Sequence, residues 1–195
     1  GGGTGGHLMA GLSIAQEISF RFPGTRIIFF GTNRNKESRY IEESNYEFKS
    51  IMACKPTSFI RLPLFAFASL IGIIHSLINL FIIKPDIIIG LGGYGSALPV
   101  VAAYIIGIPI VLIEPNVIPG RANLKMERWA DAVICHWESS KKRFKKGEVA
   151  VTGVPIRSGI LENQTEVDNN PFGLDSQKKT LLIMGGSQGG QTINK

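Results

Sequence analysis

Residues Asp86-Ile87-Ile88-Ile89-Gly90-Leu91-Gly92-Gly93-Tyr94-Gly95-Ser96 decide the fold. A short isoleucine run gives way to glycines, and the glycines lead into a helical stretch over Ala97–Ile106. β-Branched side chains fit a pleated strand, and a strand that is apolar throughout fits a sheet covered on both faces. Glycine at the strand-to-helix turn accepts positive φ and lets a ligand come close to the backbone. The free amides and positive end of the following helix then make a seat for phosphate. Strand, glycine turn and helix together form the repeating unit of a parallel α/β sheet.

The same unit recurs on both sides. Strands are expected at Arg26–Phe30, Phe48–Ala53, Asp86–Leu91, Pro109–Ile113, Ala132–Cys135, Glu148–Thr152 and Thr180–Met184. Helices are expected at Leu8–Phe20, Asn35–Ser44, Pro63–Ile83, Ala97–Ile106, Arg121–Trp129 and Glu138–Phe144. The chain opens inside a glycine turn, so a further strand is expected ahead of Gly1, and the strands flanking Pro63–Ile83 are expected in one sheet. Between Ser158 and Lys178 the sequence turns polar, with Asn169, Asn170, Pro171 and Gly173, as an interdomain linker would. The expected architecture is α/β: a Rossmann-like parallel-sheet domain over residues 1–157, a linker over 158–178, and the start of a second Rossmann-like domain over 179–195. The chain reads as a fragment cut at both ends.

Glycine turns occur at Gly1–His7, Gly90–Ser96 and Gly185–Gly190. At the C-terminal ends of parallel strands they converge on the crevice where open α/β sheets bind ligands. The first two satisfy G-x-G-x-x-G, which also suits a dinucleotide-binding oxidoreductase. That reading expects an acidic residue after the second strand. The sequence there is Gly31-Thr32-Asn33-Arg34, which leaves only an NADP-type variant using Arg34.

The formal net charge of +6 favours acidic partners such as phosphates or anionic lipid, and equally aids solubility. The basic residues Lys141, Lys142, Arg143, Lys145 and Lys146 suit either an anionic surface or a solvated helix end. No recognised nucleic-acid module accompanies them, so nucleic acid is not an expected partner. Cys54 and Cys135 show no zinc or redox spacing and read as ordinary buried thiols. Leu62–Ile83 carries no formal charge and is long enough to cross a bilayer. Ser69, Gly72, Ser76 and Asn79 fall on one stripe of it, with His75 alongside. That pattern suits a helix packed partly on the sheet and offering apolar surface to lipid; a buried core helix and a true span are the other readings.

Taken in order, Gly2-Gly3-Thr4-Gly5-Gly6-His7, Gly92-Gly93-Tyr94, Glu114-x-Asn116, Gly153-x-Pro155-x-Arg157 and Gly185-Gly186-Ser187-Gln188-Gly189 resemble glycosyltransferase family 28. The chain departs from the family pattern at Pro115 and Val154. The resemblance implies a two-domain GT-B fold and an inverting transfer of N-acetylglucosamine from UDP-N-acetylglucosamine. The implied acceptor is the C4 hydroxyl of undecaprenyl-pyrophosphoryl-MurNAc-pentapeptide, in peptidoglycan synthesis. Another lipid or natural-product acceptor, and a non-catalytic split-domain subunit, stand as alternatives. The implied location is the cytoplasmic face of the inner membrane, held peripherally through Leu62–Ile83 and the basic residues.

An inverting transfer needs a base and stabilisation of the departing diphosphate. His7 is the candidate base, since an imidazole titrates near working pH; its other reading is a hydrogen bond to a loop carbonyl or the diphosphate. Thr4, Gly5, Gly6, Gly93, Tyr94 and Asn116 are candidate substrate contacts, with Ser187 and Gln188 from the second domain. Arg157 suits a diphosphate or sugar, or else a surface ion pair. Glu114 either orients a sugar hydroxyl, helps as a base, or supports a helix start. No D-x-D occurs, so no metal or cofactor is expected, and helix ends with Arg157 take the diphosphate charge. The fragment alone is expected to be inactive.

Overall fold

A computed structural model describes residues 5–32, 41–51, 62–156, 173–175 and 177–183. The chain divides into two compact units, Gly1–Pro155 and Ile156–Lys195. The first unit alternates helix and strand: α1 (Gly5–Arg21), β1 (Ile28–Thr32), β2 (Glu47–Ile51), α2 (Leu62–Ile83), β3 (Ile88–Gly90), α3 (Tyr94–Ile106), β4 (Ile110–Glu114), α4 (Arg121–Met126), β5 (Ala132–Cys135), α5 (Glu138–Lys141) and β6 (Glu148–Val151). A single 3₁₀ turn, Glu127–Trp129, extends α4. Of the expected helix at Asn35–Ser44, residues 41–43 are helical and residues 35–40 lie outside the described set.

All described pairings are parallel, as the α/β reading requires. They form two sheets rather than the single one expected: β1–β2, and β3–β4–β5–β6. The strands before and after α2 therefore belong to different sheets. The core follows the same division. Leu8, Leu12, Ala15, Phe29 and Ile41 pack under β1. Val100, Ile110, Leu112, Met126, Val133 and Cys135 pack around the larger sheet. Cys135 is a free, buried thiol as expected, and burial raises its pKa; Cys54 lies outside the described residues.

Glycine sets both ends of α3. It starts at Gly93 (φ 75°), earlier than its apolar pattern suggested, and stops at Gly107 in the left-handed region (φ 74°, ψ 25°). There the Ile108 amide donates to the Ala103 carbonyl at 3.0 Å and the Gly107 amide to Tyr104 at 3.3 Å. These are the paired bonds of a Schellman stop.

Helix α2 is not a core helix, which removes that reading. Its Gly72, Ser76 and Leu80 are buried, and it packs chiefly on α3 and lightly on β2. Leu64, Phe67, Leu70, Ile74, Ile78, Phe81 and Ile82 are exposed. The small stripe read from the sequence is thus a helix–helix seam more than a sheet contact. Ser76 Oγ, fully buried, donates back to the Gly72 carbonyl at 2.8 Å, a local bond that settles its hydroxyl without a partner helix.

In the second unit, the strand expected at Thr180–Met184 is absent over residues 180–183, which are irregular with Leu181, Leu182 and Ile183 exposed. Apolar composition alone does not make a strand. A ladder partner is needed, and none pairs with these residues among those described. The Asp175–Lys178 turn ahead of them is held by the Lys178 amide donating to the Asp175 carbonyl at 3.1 Å.

Candidate functional site

The C-terminal ends of β3, β4 and β5 lie in register, with Gly90 opposite Leu112 and Glu114 opposite Cys135. Whatever follows these strands is gathered along one edge. After β3 the backbone turns through Gly92 (φ 86°) and Gly93. Ser96 Oγ, buried in the first turn of α3, donates to the Gly92 carbonyl at 2.7 Å and closes the turn. A Cβ on Gly92 would lie 3.1 Å from Asn123 Nδ2, 3.3 Å from Asn123 Oδ1 and 3.4 Å from His7 Nε2. Glycine is required there twice over, for its torsion and for the close approach of two polar side chains. That approach brings the start of α1, the β3 turn and α4 to one place.

Glu114 ends β4 and is fully buried. Its Oε1 accepts from the Asn116 amide at 2.9 Å and from Asn116 Nδ2 at 2.8 Å. Its Oε2 accepts from the Gly120 amide at 2.9 Å and from Asn123 Nδ2 at 2.9 Å. A buried carboxylate is tolerable only when its oxygens are occupied in this way. It thereby fastens the 115–120 loop to both the strand and the start of α4, the helix-start role among the readings of this residue. No exposed oxygen is left to meet a substrate hydroxyl.

His7 sits half-buried in the first turn of α1. Burial pushes its imidazole below the ordinary histidine value, opposed by the Glu114 carboxylate, which favours the charged form. Burial prevails, so the ring is held toward neutral, the form that accepts a proton. His136, just past β5, shows the same balance. Its amide donates to the Glu114 carbonyl at 3.1 Å, while its buried Nδ1 has no hydrogen-bond partner. Asn123 donates to the Ile113 carbonyl at 3.0 Å as well as to Glu114, and its buried Oδ1 is left unpartnered. Buried polar atoms left unmet in this way call for a partner such as a water or a ligand.

Of the residues singled out from the sequence, the structure gathers Gly5, Gly6, His7, Gly93, Glu114 and Asn116 on this unit. Asn116 is exposed, with its amide nitrogen held by Glu114. Tyr94 is the first residue of α3, described through its backbone only. Thr4, Arg157, Ser187 and Gln188 lie outside the described residues, as do Asn33 and Arg34. Sequence reasoning missed Asn123 and His136. The available signals were a lone amide in the first turn of a short helix and a histidine directly after a strand, at the edge where parallel sheets keep their ligands.

These turns, and the polar cluster at the strand ends, sit on a parallel α/β domain. The profile of the glycosyltransferase family 28 N-terminal domain matches residues 1–135, and the chain belongs to that family. It is 37% identical over 199 residues to the UDP-N-acetylglucosamine–N-acetylmuramyl-(pentapeptide) pyrophosphoryl-undecaprenol N-acetylglucosamine transferase of Thermodesulfovibrio yellowstonii, covering 100% of this chain and 54% of the relative. The protein of the same name from Bacillus subtilis is 34% identical over 200 residues, again with 100% and 54% covered. The chain thus spans about half the length of these curated relatives. Among solved structures it superposes on Acinetobacter baumannii MurG with a TM-score of 0.67 at 24% identity, covering 80% of this chain and 43% of that one. The UDP-GlcNAc 2-epimerase of Neisseria meningitidis, bound to UDP-GlcNAc, superposes with a TM-score of 0.57 at 17% identity, covering 78% and 44%. At those identities the likeness is one of fold, a parallel α/β unit of GT-B type. Family membership displaces the dinucleotide-oxidoreductase reading.

Proposed function

We propose that this chain supplies the acceptor side of an inverting N-acetylglucosaminyltransferase. Its substrates are UDP-N-acetylglucosamine and undecaprenyl-pyrophosphoryl-MurNAc-pentapeptide. The observation that carries the reading is His7, biased toward its neutral form and set against the Gly92 turn beside Asn123. In the proposed step His7 accepts the proton of the acceptor C4 hydroxyl. The oxygen forms a bond to the anomeric carbon from the face opposite the leaving group. The bond from that carbon to the diphosphate oxygen breaks, and UDP departs with the electron pair. Thr4, Gly5, Gly6, Gly93 and Tyr94 contact the acceptor sugar and phosphates through the glycine turns, and Asn116 does so from the loop that Glu114 fastens. Arg157, Ser187 and Gln188 meet the donor diphosphate.

An acceptor that stays in the bilayer calls for a membrane-facing enzyme. The exposed stripe of α2 and the cations of Lys141–Lys146 support peripheral docking at the cytoplasmic face of the inner membrane. The test is transfer of labelled N-acetylglucosamine to the lipid-linked acceptor by the full-length protein that contains this sequence. His7→Ala is expected to lower turnover about a hundredfold or more, the scale of general-base help. Undiminished turnover in that variant removes His7 from the chemistry, and no transfer by the unmodified enzyme removes the assigned reaction.

A further inference from the structure

Trp137 follows His136 just beyond β5, on the edge where β4 also ends. Its backbone is pinned from both sides. The His136 amide donates to the Glu114 carbonyl at 3.1 Å. The Trp137 carbonyl accepts from Ser140 Oγ at 2.6 Å and from the Ser140 amide at 3.1 Å. The far end of the side chain is pinned as well, because indole Nε1 donates to the Pro115 carbonyl at 3.1 Å. The polar handle of the indole is thus spent inside the protein. Yet the residue stays 46% exposed, and among the described residues no aromatic ring or cation lies over it. Trp129, the other tryptophan of the chain, is differently placed: Arg128 sits 4.5 Å from its ring centre and Tyr104 packs beside it at 6.1 Å.

An exposed ring held at both ends gives up little freedom when a ligand settles on it, so its platform is made in advance. Asn116, next to the carbonyl that holds the ring, indicates which ligand. Its Nδ2 is taken by Glu114, so Oδ1 is the acceptor this exposed residue offers. Val117 and Ile118 follow it, both exposed. A flat apolar plane with a hydroxyl acceptor alongside suits a ligand with a C–H face and hydroxyls around its rim. That is a pyranose ring. A lipid chain has no use for Asn116, and a bare phosphate has none for the indole or the aliphatic pair. We infer that Trp137 is a specificity-determining residue for the acceptor: its indole carries the acceptor sugar, Asn116 Oδ1 accepts from a hydroxyl of that ring, and Val117 and Ile118 flank its acyl substituents. The inference rests on the acceptor-side reading above and adds to it the residue that carries the sugar.

The test uses the full-length protein that contains this sequence, in two arms. In the first, the protein is labelled with fluorotryptophan and read by fluorine NMR, with the Trp137 resonance assigned by its loss in Trp137→Phe. The soluble muramyl-pentapeptide pyrophosphate headgroup, without its lipid, is expected to move that resonance. Prenyl pyrophosphate lacking the sugar, UDP-N-acetylglucosamine alone and anionic vesicles alone are expected to leave it in place. In the second arm, Trp137→Ala is expected to raise the acceptor KM about tenfold, with kcat and the donor KM nearly unchanged, the pattern of lost uniform binding. Trp137→Phe keeps an aromatic plane and gives up the bond to Pro115, and it is expected to restore most of the acceptor KM. A resonance unmoved by the headgroup overturns the proposal. A shift with vesicles alone assigns the ring to the bilayer and overturns it, as does a shift with the donor alone. Equal losses in the alanine and phenylalanine variants reduce Trp137 to a support for Pro115. Absence of transfer by the unmodified enzyme defeats the assigned reaction, while a shift caused by the headgroup still upholds the role of Trp137.

Discussion

Replacing Glu114 by glutamine tests the fastening role of this carboxylate, because the change keeps shape and removes one acceptor. Both oxygens now take two N–H donors each. An amide must point its NH₂ at one of those pairs, whichever way it turns. If it faces Asn116, the exposed side-chain amide can turn to water, but the backbone amide loses its partner. If it faces Gly120 and Asn123, the Asn123 nitrogen keeps the Ile113 carbonyl and the Gly120 amide is stranded. The cheaper orientation therefore strands one backbone donor and the new NH₂, at about 1–3 kcal/mol each, and weakens the surviving charge-assisted bonds. Relief of burying the charge offsets part of this, leaving a net loss of about 2–4 kcal/mol. For a chain of this size that lowers Tm by about 4–16 °C. Thermal unfolding followed by circular dichroism measures it. The same variant removes the negative charge that favours protonation of His7 and His136, so their NMR titrations move to lower pH. A Tm unchanged within error, together with unmoved histidine titrations, refutes the fastening role.

Three further outcomes are expected. Gly92→Ala places a side chain at positive φ and against Asn123 and His7, costing more than the about 1–2 kcal/mol of the torsion alone; Gly24→Ala, at φ 92° with open space around it, costs the torsion only, and equal urea midpoints for the two variants contradict the crowding at Gly92. Both His7 and His136 have folded pKa values below their unfolded value of about 6.5, so the unfolded chain binds more protons. Stability is complete above that pH and declines as pH falls through the window below it; denaturation midpoints across this range are expected to show the decline, with a shallower slope for His136→Gln. Ile74→Glu combined with Ile78→Glu leaves the unfolding midpoint nearly unchanged, since both are exposed, but lowers sedimentation with anionic vesicles at least tenfold, from about 1.5–3 kcal/mol per apolar side chain withdrawn from lipid; undiminished sedimentation excludes α2 as the contact.

Much of the fold was legible because strand and helix differ in period and because glycine marks their junctions. Ile88–Gly90 lies within the strand read at Asp86–Leu91, the helix read at Ala97–Ile106 begins three residues earlier at Tyr94, and Ala132–Cys135 coincides with its apolar run. What was hidden depended on partners distant in sequence. The division into two sheets turns on which strand edges meet, and Thr180–Ile183 looks like a strand until a neighbour is required of it. At the site, His7 and the glycine turns stand out by residue type. The occupancy of Glu114 by four donors does not, because it depends on a loop and a helix folding back over the strand end. Asn123 escaped notice for the same reason: an asparagine in a helix carries no label until its neighbours are known.

The seam between α2 and α3 reverses the usual arrangement of bulk. The small residues Gly72 and Ser76 of α2 face inward beside Leu80, and most of its large side chains face out. Changes at the buried positions 72 and 76 act on the side of α2 that packs against α3, while exchange of the outward side chains for hydrophilic ones leaves that contact intact. Water solubility and correct assembly can be tuned separately in this molecule, through opposite sides of one helix.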